Sequence, residues 1–303
     1  MLFYLEYCFS LNNYMPELPE VEVVKRSLNN KIQNLVVERI TVKEEKLRYR
    51  INKNKLKVLL GLKIIKILRR SKFLLFVFEK NTVMLAHLGM TGKLFFINEK
   101  AVKHKTSFYY NLDESKDNKH NRLIFSLSKS QKLIYNDVRK FGFIKILDKR
   151  QLKYNLHLKN LGPEPLSNSF DFKYFKNYLI SRNRTIKDIL MDQKFVSGLG
   201  NIYVNEVLFL SKVKPAKKTY LIKDIEINRI IKNTKKTLKK AISFGGSSLR
   251  DFSSSDGKKG EFQQFFYVYG RKGENCLNRN CNKKIKKTII GNRSTFYCPK
   301  CQK

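Results

Sequence analysis

The chain has 303 residues and carries 63 Lys plus Arg against 25 Asp plus Glu, a formal net charge of +38 that only 4 His could modify. A hydrophobic share of 42% can build cores and excludes a wholly disordered basic tail; every apolar run is broken by Lys, Arg, Glu or Asn, which excludes a transmembrane helix. The charge narrows the partners to nucleic acid, an anionic membrane face or acidic proteins, and the length suggests two domains with a small appendage.

Residues 1–14 (MLFYLEYCFSLNNY) lack a basic n-region, contain Glu6 and offer no small-residue cleavage site, so they do not read as a secretory signal. A helix start follows at Pro16-Glu17-Leu18-Pro19-Glu20. Pro19 suits the first turn, Glu20 and Glu22 complement the positive dipole end, and Val21, Val24 and Leu28 share one apolar face. From 32 to 148 the chain reads as strands: Ile32–Val42, Leu62–Leu68, Phe73–Phe78, Val83–Leu88, Lys93–Ile97, Leu123–Leu127 and Lys132–Tyr135. A polar insert over 99–121 is expected to be a mobile loop. Strands at this density predict a sandwich or barrel. Leu161-Gly162-Pro163-Glu164-Pro165-Leu166-Ser167 breaks the pattern, and apolar spacings of three and four then predict helices over Phe172–Ile180, Thr185–Met191, Ile202–Leu210 and Asp224–Phe244. A Gly/Ser-rich stretch, 245–260, leads into a cysteine-rich tail. The expected organisation is α+β: an extension over 1–14, a β-domain over 15–150, a linker over 151–165, a helical domain over 166–260 and a hairpin module over 267–303.

Four of the five cysteines form Cys276-x4-Cys281-x16-Cys298-x2-Cys301, and Cys8 stands alone. Two close pairs around a hairpin-length spacer fit a tetrahedral zinc ribbon, in which four thiolates fold a segment too small for its own core. Two disulfides are the alternative, and they would need a secreted chain. Pro16-Glu17 carries chemistry only if Met15 is the start and is removed. Pro16 is then a secondary amine with a reference pKa near ~8, against ~10.4 for Lys. Its attack on a sugar C1′ gives a cationic iminium, an electron sink for β-elimination, and Glu17 stands beside it as general acid. The plainer reading is a helix cap.

Met15-Pro16-Glu17-Leu18-Pro19-Glu20-Val21-Glu22 resembles the N-terminal signature of the formamidopyrimidine-DNA glycosylase family. Further motifs extend the resemblance from 15 to 303: His87-Leu88-Gly89-Met90-Thr91-Gly92, Asn136-Asp137-Val138-Arg139-Lys140-Phe141-Gly142, Leu161-Gly162-Pro163-Glu164-Pro165, Gly198-Leu199-Gly200-Asn201-Ile202-Tyr203, Val268-Tyr269-Gly270-Arg271 and Arg293-Ser294-Thr295-Phe296-Tyr297-Cys298. The resemblance implies an N-terminal β-sandwich with a leading helix, a helix–two-turn–helix domain and a zinc-ribbon β-hairpin. It implies a monomeric bacterial cytoplasmic enzyme, a DNA glycosylase and abasic-site lyase that excises 8-oxoguanine and formamidopyrimidines from duplex DNA and cuts the strand by β,δ-elimination.

By the same resemblance Pro16 is the Schiff-base nucleophile, Glu17 the proton donor, Lys72 the group for β-elimination and Arg293 that for δ-elimination. His120, Arg139, Arg184 and Asn201 match DNA-contact positions, and Glu206 matches a family position. Met90 and Phe141 would wedge the stack while Arg139 meets the orphaned base. Physical expectations stand beside these roles. The like charge of Arg69 and Arg70 would lower the Lys72 pKa; Gly291-Asn292 would turn a hairpin that aims Arg293 outward; and free N–H groups after Gly200 would receive a phosphate. Gly245-Gly246-Ser247-Ser248-Leu249 resembles the loop that covers the flipped base. Three departures stand out: Lys140 replaces a usual Arg, the first cysteine pair has four intervening residues where two are frequent, and residues 1–14 would lock the Pro16 nitrogen in an amide. The rivals are the endonuclease VIII branch, against which Leu18 argues because that branch has Gly there, and a non-catalytic zinc-ribbon DNA-binding protein.

Overall fold

The computed structural model describes residues 15–106, 118–247 and 262–303; Cys8, Ser248 and Leu249 lie outside them. Helix α1 (Leu18–Ile32) begins as expected, with the Glu20 carboxylate accepting the Glu17 N–H at 2.9 Å. Its buried face, Val21, Val24, Leu28 and Ile32, continues one residue row beyond the predicted end. Ile32 therefore closes this helix instead of opening a strand. The first strand, β1 (Val37–Val42), starts only after a turn with Asn34 at φ 66°.

A short helix α2 (Lys53–Lys57) and strands β2 (Ile64–Arg70), β3 (Phe73–Phe78), β4 (Thr82–His87), β5 (Gly92–Ile97), β6 (Lys103–Lys105), β7 (Asn121–Leu127), β8 (Gln131–Asp137) and β9 (Phe143–Asp148) complete the first domain. They form two antiparallel sheets, a five-stranded one in the order β1-β7-β8-β5-β6 and a four-stranded one in the order β2-β3-β4-β9. The sandwich core lies between them. Phe125, Leu133 and Tyr135 of one sheet face Leu74, Phe76, Met84 and Ala86 of the other, with α1 closing the end. Each fully buried side chain of this size contributes about 1.5–3 kcal/mol of apolar transfer. Strands β3 and β4 read as unbroken apolar runs because their other face is buried too, in a cluster of Leu75, Val77, Val83, Leu85 and Phe143. Strand β9 is absent from the sequence-based reading. Lys145 and Asp148 interrupt its apolar pattern, and it becomes a strand by pairing along β4 from His87↔Phe143 to Thr82↔Asp148. Within the stretch 99–121 expected as a mobile loop, β6 pairs with β5 and a 3-10 turn at Asn118–His120 leads into β7, while 107–117 lie outside the described residues.

The helices match expectation within a residue: α3 (Phe172–Leu179), α4 (Ile186–Met191), α5 (Asn201–Leu210) and α6 (Asp224–Ser243). Their apolar faces share one core in which Ile227, Ile230 and Leu238 of α6 meet Val204, Val207 and Leu208 of α5. The tail is a hairpin of β10 (Lys286–Ile290) and β11 (Arg293–Tyr297), closed by Gly291 and Asn292, both at φ 56°. Its small core, Ile285, Phe296 and Cys298, borrows Phe209 from α5. The sheet and helical domains are joined by ion pairs. Arg69 bridges Glu22 and Glu164 at 2.8 and 2.7 Å, and Arg70 reaches Glu164 at 2.9 Å and the carbonyls of Leu161 and Gly162. No helix among the described residues is long and apolar enough to cross a membrane.

Candidate active site and metal centre

Pro16 and Glu17 are buried where α1 meets the N-terminus of α5. The Glu17 carboxylate accepts the Ile202 N–H at 2.8 Å and the Tyr203 N–H at 3.4 Å. Gly200 is needed beneath it, because a Cβ there would collide with the carboxyl group itself. The helix start expected to receive a phosphate thus gives these two N–H groups to Glu17. The Glu17 pKa is raised to about 7, chiefly by burial with Glu20 adding to it, against the lowering effect of Lys72 and the two N–H groups. Glu20 itself accepts from the Tyr203 hydroxyl at 2.7 Å and from the Ser247 N–H and hydroxyl at 2.8 and 2.9 Å. Ser247, in the described part of the Gly/Ser stretch, is therefore tied to the same site.

Lys72 sits in the two-residue turn between β2 and β3, where Ser71 at φ 55° donates its N–H to Glu164 at 2.6 Å. Burial lowers its ammonium pKa; Glu17 and Glu20 oppose this, and Arg293 adds to it. The expected cause is thereby corrected. Arg69 and Arg70 have turned away to their carboxylates, and the like charge acting on Lys72 comes from the far end of the sequence.

Met90 and Arg139–Phe141 lie on two loops locked together by Asp137. This fully buried carboxylate accepts from the Thr91 hydroxyl at 2.5 Å, and from the Tyr135 hydroxyl and the Gly142 N–H at 2.9 Å each. Thr91 in turn accepts the Arg139 N–H at 2.9 Å. Arg139 stacks over the Phe141 ring at 4.6 Å, and Phe141 is 43% exposed, unlike a core aromatic. An open cleft of about 510 Å³ is lined by Met15, Leu47, Arg48, Gly89, Met90, Arg139, Lys140 and Phe141. Met15 puts the neighbour of Pro16 in the same cleft as the wedge candidates. Lys140 is ion-paired with Glu44. His120 meets Arg122 at 3.2 Å, and Arg122 donates to the Asp137 carbonyl at 2.8 Å, which places His120 behind the same loop. Arg184 lies elsewhere, on the helical domain, paired with Asp192 at 2.8 Å.

The four cysteines of the tail come together with all Sγ atoms within 4.8 Å of one another. Cys276–Cys301 and Cys281–Cys298 are 3.8 and 3.5 Å apart, and none is in a disulfide. Tetrahedral ligands at about 2.3 Å from one ion would stand roughly 3.8 Å from each other. The cluster fits a metal ion, and the longer first spacing does not prevent it.

Four groups that the sequence-based reading did not single out, or mentioned only by resemblance, seat this hairpin on α4 and α5. The ammonium of Lys187, only 1% exposed, donates to Thr295 Oγ1 at 2.6 Å and to the Ser294 carbonyl at 3.1 Å. Burial lowers its pKa to about 8. Asn205 accepts the Phe296 N–H at 2.7 Å, and Glu206 accepts three successive N–H groups, from Tyr267, Val268 and Tyr269, at 2.8–3.0 Å. Asn201 donates to the Ser294 carbonyl at 2.9 Å. Through these contacts the exposed Arg293 at the hairpin tip acts electrostatically on both Lys72 and Lys187.

Comparisons with known proteins agree with this architecture. The formamidopyrimidine-DNA glycosylase N-terminal domain matches residues 15–144, and the H2TH domain of the same family matches residues 161–253. A formamidopyrimidine-DNA glycosylase of Rickettsia felis is 39% identical over 288 residues, covering 95% of this chain and 98% of the relative. One from Rhodopseudomonas palustris is 36% identical over 295 residues, covering 95% and 100%. Among solved structures, the Lactococcus lactis Fpg bound to abasic-site DNA superposes with a TM-score of 0.80 at 35% identity, over 95% of this chain and 99% of that one. A mutant of that enzyme bound to Fapy-dG DNA gives 0.81 at 35% identity, over 95% and 100%. The fold, the four-cysteine hairpin and these matches together show that the chain belongs to the formamidopyrimidine-DNA glycosylase family of DNA-repair glycosylases.

Proposed function

We propose that this chain is a bifunctional DNA glycosylase and abasic-site lyase that removes oxidised purines, 8-oxoguanine and formamidopyrimidines, from duplex DNA. One observation carries the reading: a buried carboxyl with its pKa lifted to about 7 stands next to Pro16, within the field of Lys72. A half-protonated acid, a low-pKa ammonium and a potential secondary amine are what base release followed by elimination requires.

In this mechanism the freed Pro16 nitrogen attacks C1′ as the base leaves with the electrons of the glycosidic bond and takes up the proton that the Pro16 nitrogen gives up. Glu17 gives its proton to the sugar ring oxygen, the ring opens, and an iminium forms between Pro16 and C1′. Loss of a C2′ proton expels the 3′ phosphate, assisted by Lys72, and a second elimination expels the 5′ phosphate beside Arg293. Met90 and Phe141 fill the space vacated by the flipped nucleotide, and Arg139 donates to the base left behind. His120, Arg184 and Asn201 contact the DNA. Cys276, Cys281, Cys298 and Cys301 hold one structural zinc, which supplies folding energy to the hairpin rather than chemistry. The cleft and the hairpin are complete in one chain, consistent with a monomer working on the bacterial chromosome in the cytoplasm.

An amide nitrogen at Pro16 has its lone pair delocalised and cannot attack, so the active form begins at Pro16. Two proteins, one retaining Met1 and one started at Met15, should be given an abasic-site duplex and borohydride. Only the second should form a covalent adduct. If the chain retaining Met1 by mass traps DNA equally well, Pro16 is not the nucleophile, and Lys72 takes its place. Comparing duplexes with oxidised purines and oxidised pyrimidines then tests the substrate class.

A further inference from the structure

Helix α6 presents a surface that the lesion cleft does not use. Its buried face, Ile227, Ile230, Thr234, Leu238 and Ala241, packs into the helical core. On the opposite side Lys232, Lys236 and Lys239 are exposed, and Lys235 flanks them half-buried. The acids of this helix are confined to its first turn and engaged elsewhere, Asp224 with Lys176 and Glu226 with Lys217. None of Lys232, Lys235, Lys236 and Lys239 has an ion-pair partner among the described residues. Helix α1 is built the other way, with Lys25 and Arg26 both paired to Glu22 on their own helix. Lys232 with Lys236 and Lys235 with Lys239 are like charges one turn apart, an arrangement that destabilises a helix. Composition explains many lysines; it does not explain their segregation onto one face without carboxylates.

We propose that this face of α6 binds the phosphate backbone of a second DNA segment while the first occupies the lesion cleft. The row from Lys232 to Lys239 spans roughly 10 Å, and a duplex presents a charge every ~1.7 Å of its axis. Several phosphates thus fall within reach of the row at once. From Lys232 to Lys239 the exposed side chains of this face include no aromatic or apolar group to read bases, so the contact is sequence-independent. A protein holding two segments passes between them without first dissolving into solution.

The test uses the full chain and two duplexes. One carries a tetrahydrofuran abasic analogue and a donor dye; the other is undamaged and carries an acceptor. Donor anisotropy reads occupancy of the lesion cleft, and energy transfer reads the second duplex. At about 50 mM salt the wild type should show transfer after the cleft is saturated. Lys232→Glu/Lys236→Glu/Lys239→Glu should weaken the second event roughly tenfold or more and reduce its log–log salt slope by about 3, near 0.9 per lost phosphate contact. Its anisotropy titration should match wild type, and the corresponding triple Arg variant should retain transfer. No transfer in the wild type with the cleft saturated, unchanged transfer in the Glu variant, or binding of this face to phosphatidylglycerol vesicles without any transfer would overturn the proposal. A failure of the lesion-site reading would appear separately, as lost anisotropy.

Discussion

A glutamate at an exposed helix start keeps its ordinary pKa near ~4.3, and Glu17 departs from that because its carboxyl is sealed between two helix termini. Desolvation penalises the anion more than Lys72 and two backbone donors restore it, and the pKa settles at about 7. The sign for catalysis follows directly. Under the proposed mechanism Glu17 must carry its proton to act as an acid, so its contribution to the rate of base excision falls as pH rises through about 7. The Pro16 amine, ordinarily near ~8, must be free of its proton, so the same rate should rise from the acid side toward a maximum between the two values. Glu17→Gln should cut single-turnover excision by about 10²–10⁴-fold and abolish the descending limb, with tetrahydrofuran-duplex binding kept. A variant that retains that limb would assign it to another group, and Lys187, at about 8, is the next candidate.

At the scale of elements, two loops that cross between the sheets become one unit because a single carboxylate holds both. Asp137 ends β8 and ties Thr91 of the β4–β5 loop to Gly142 at the start of β9. The close approach also requires Gly142, since a Cβ there would strike the Tyr135 hydroxyl. Asp137→Ala leaves the buried Tyr135 hydroxyl and Gly142 N–H, and the half-buried Thr91 hydroxyl, without this acceptor; each buried donor costs about 1–3 kcal/mol, so urea unfolding should show a loss of at least that size. Phe141→Ala sits on the exposed rim and should leave stability within about 0.5 kcal/mol of wild type. It should slow excision of a paired lesion far more than cleavage of an abasic site, because the abasic sugar needs little unstacking. Equal slowing of both reactions would point to phosphate binding and away from a wedge.

Across the whole molecule, the site is assembled from segments far apart in sequence and depends on how the hairpin docks. Lys187, Asn205 and Glu206 anchor the tail to α4 and α5, and this brings the charge of Arg293 to bear on Lys72. The hairpin core is small, with two of the cysteines buried in it, so metal loss should release the whole arm. Cys301→Ser should lose the bound metal, measured by elemental analysis, together with lesion-duplex affinity, while circular dichroism keeps the β-sandwich signature. Tight lesion-specific binding by a metal-free protein would show that the hairpin does not need the ion. The Glu22–Arg69–Glu164–Arg70 network ties the sheet domain to the linker.

Sequence alone determined what is set by neighbours in the chain. Apolar spacings of three and four located the four α-helices of the second half within a residue, Gly291-Asn292 located the hairpin turn, and the cysteine spacing pointed to the four-thiol cluster. The Pro16-Glu17 start was readable as chemistry because the residues involved are adjacent. Where local signals were ambiguous, as at Ile32 and along β9, packing and pairing decided the outcome. Only the tertiary structure decided which groups share an environment. Glu17 meets the α5 backbone 185 positions away, and Lys187 meets Thr295 across 108. Periodicity reports which face of an element is buried and is silent about what lies opposite, while desolvation and Coulomb interactions depend on what lies opposite. The residues proposed for the site could therefore be named in advance from adjacency and resemblance, and the reasons for their altered acidity could not.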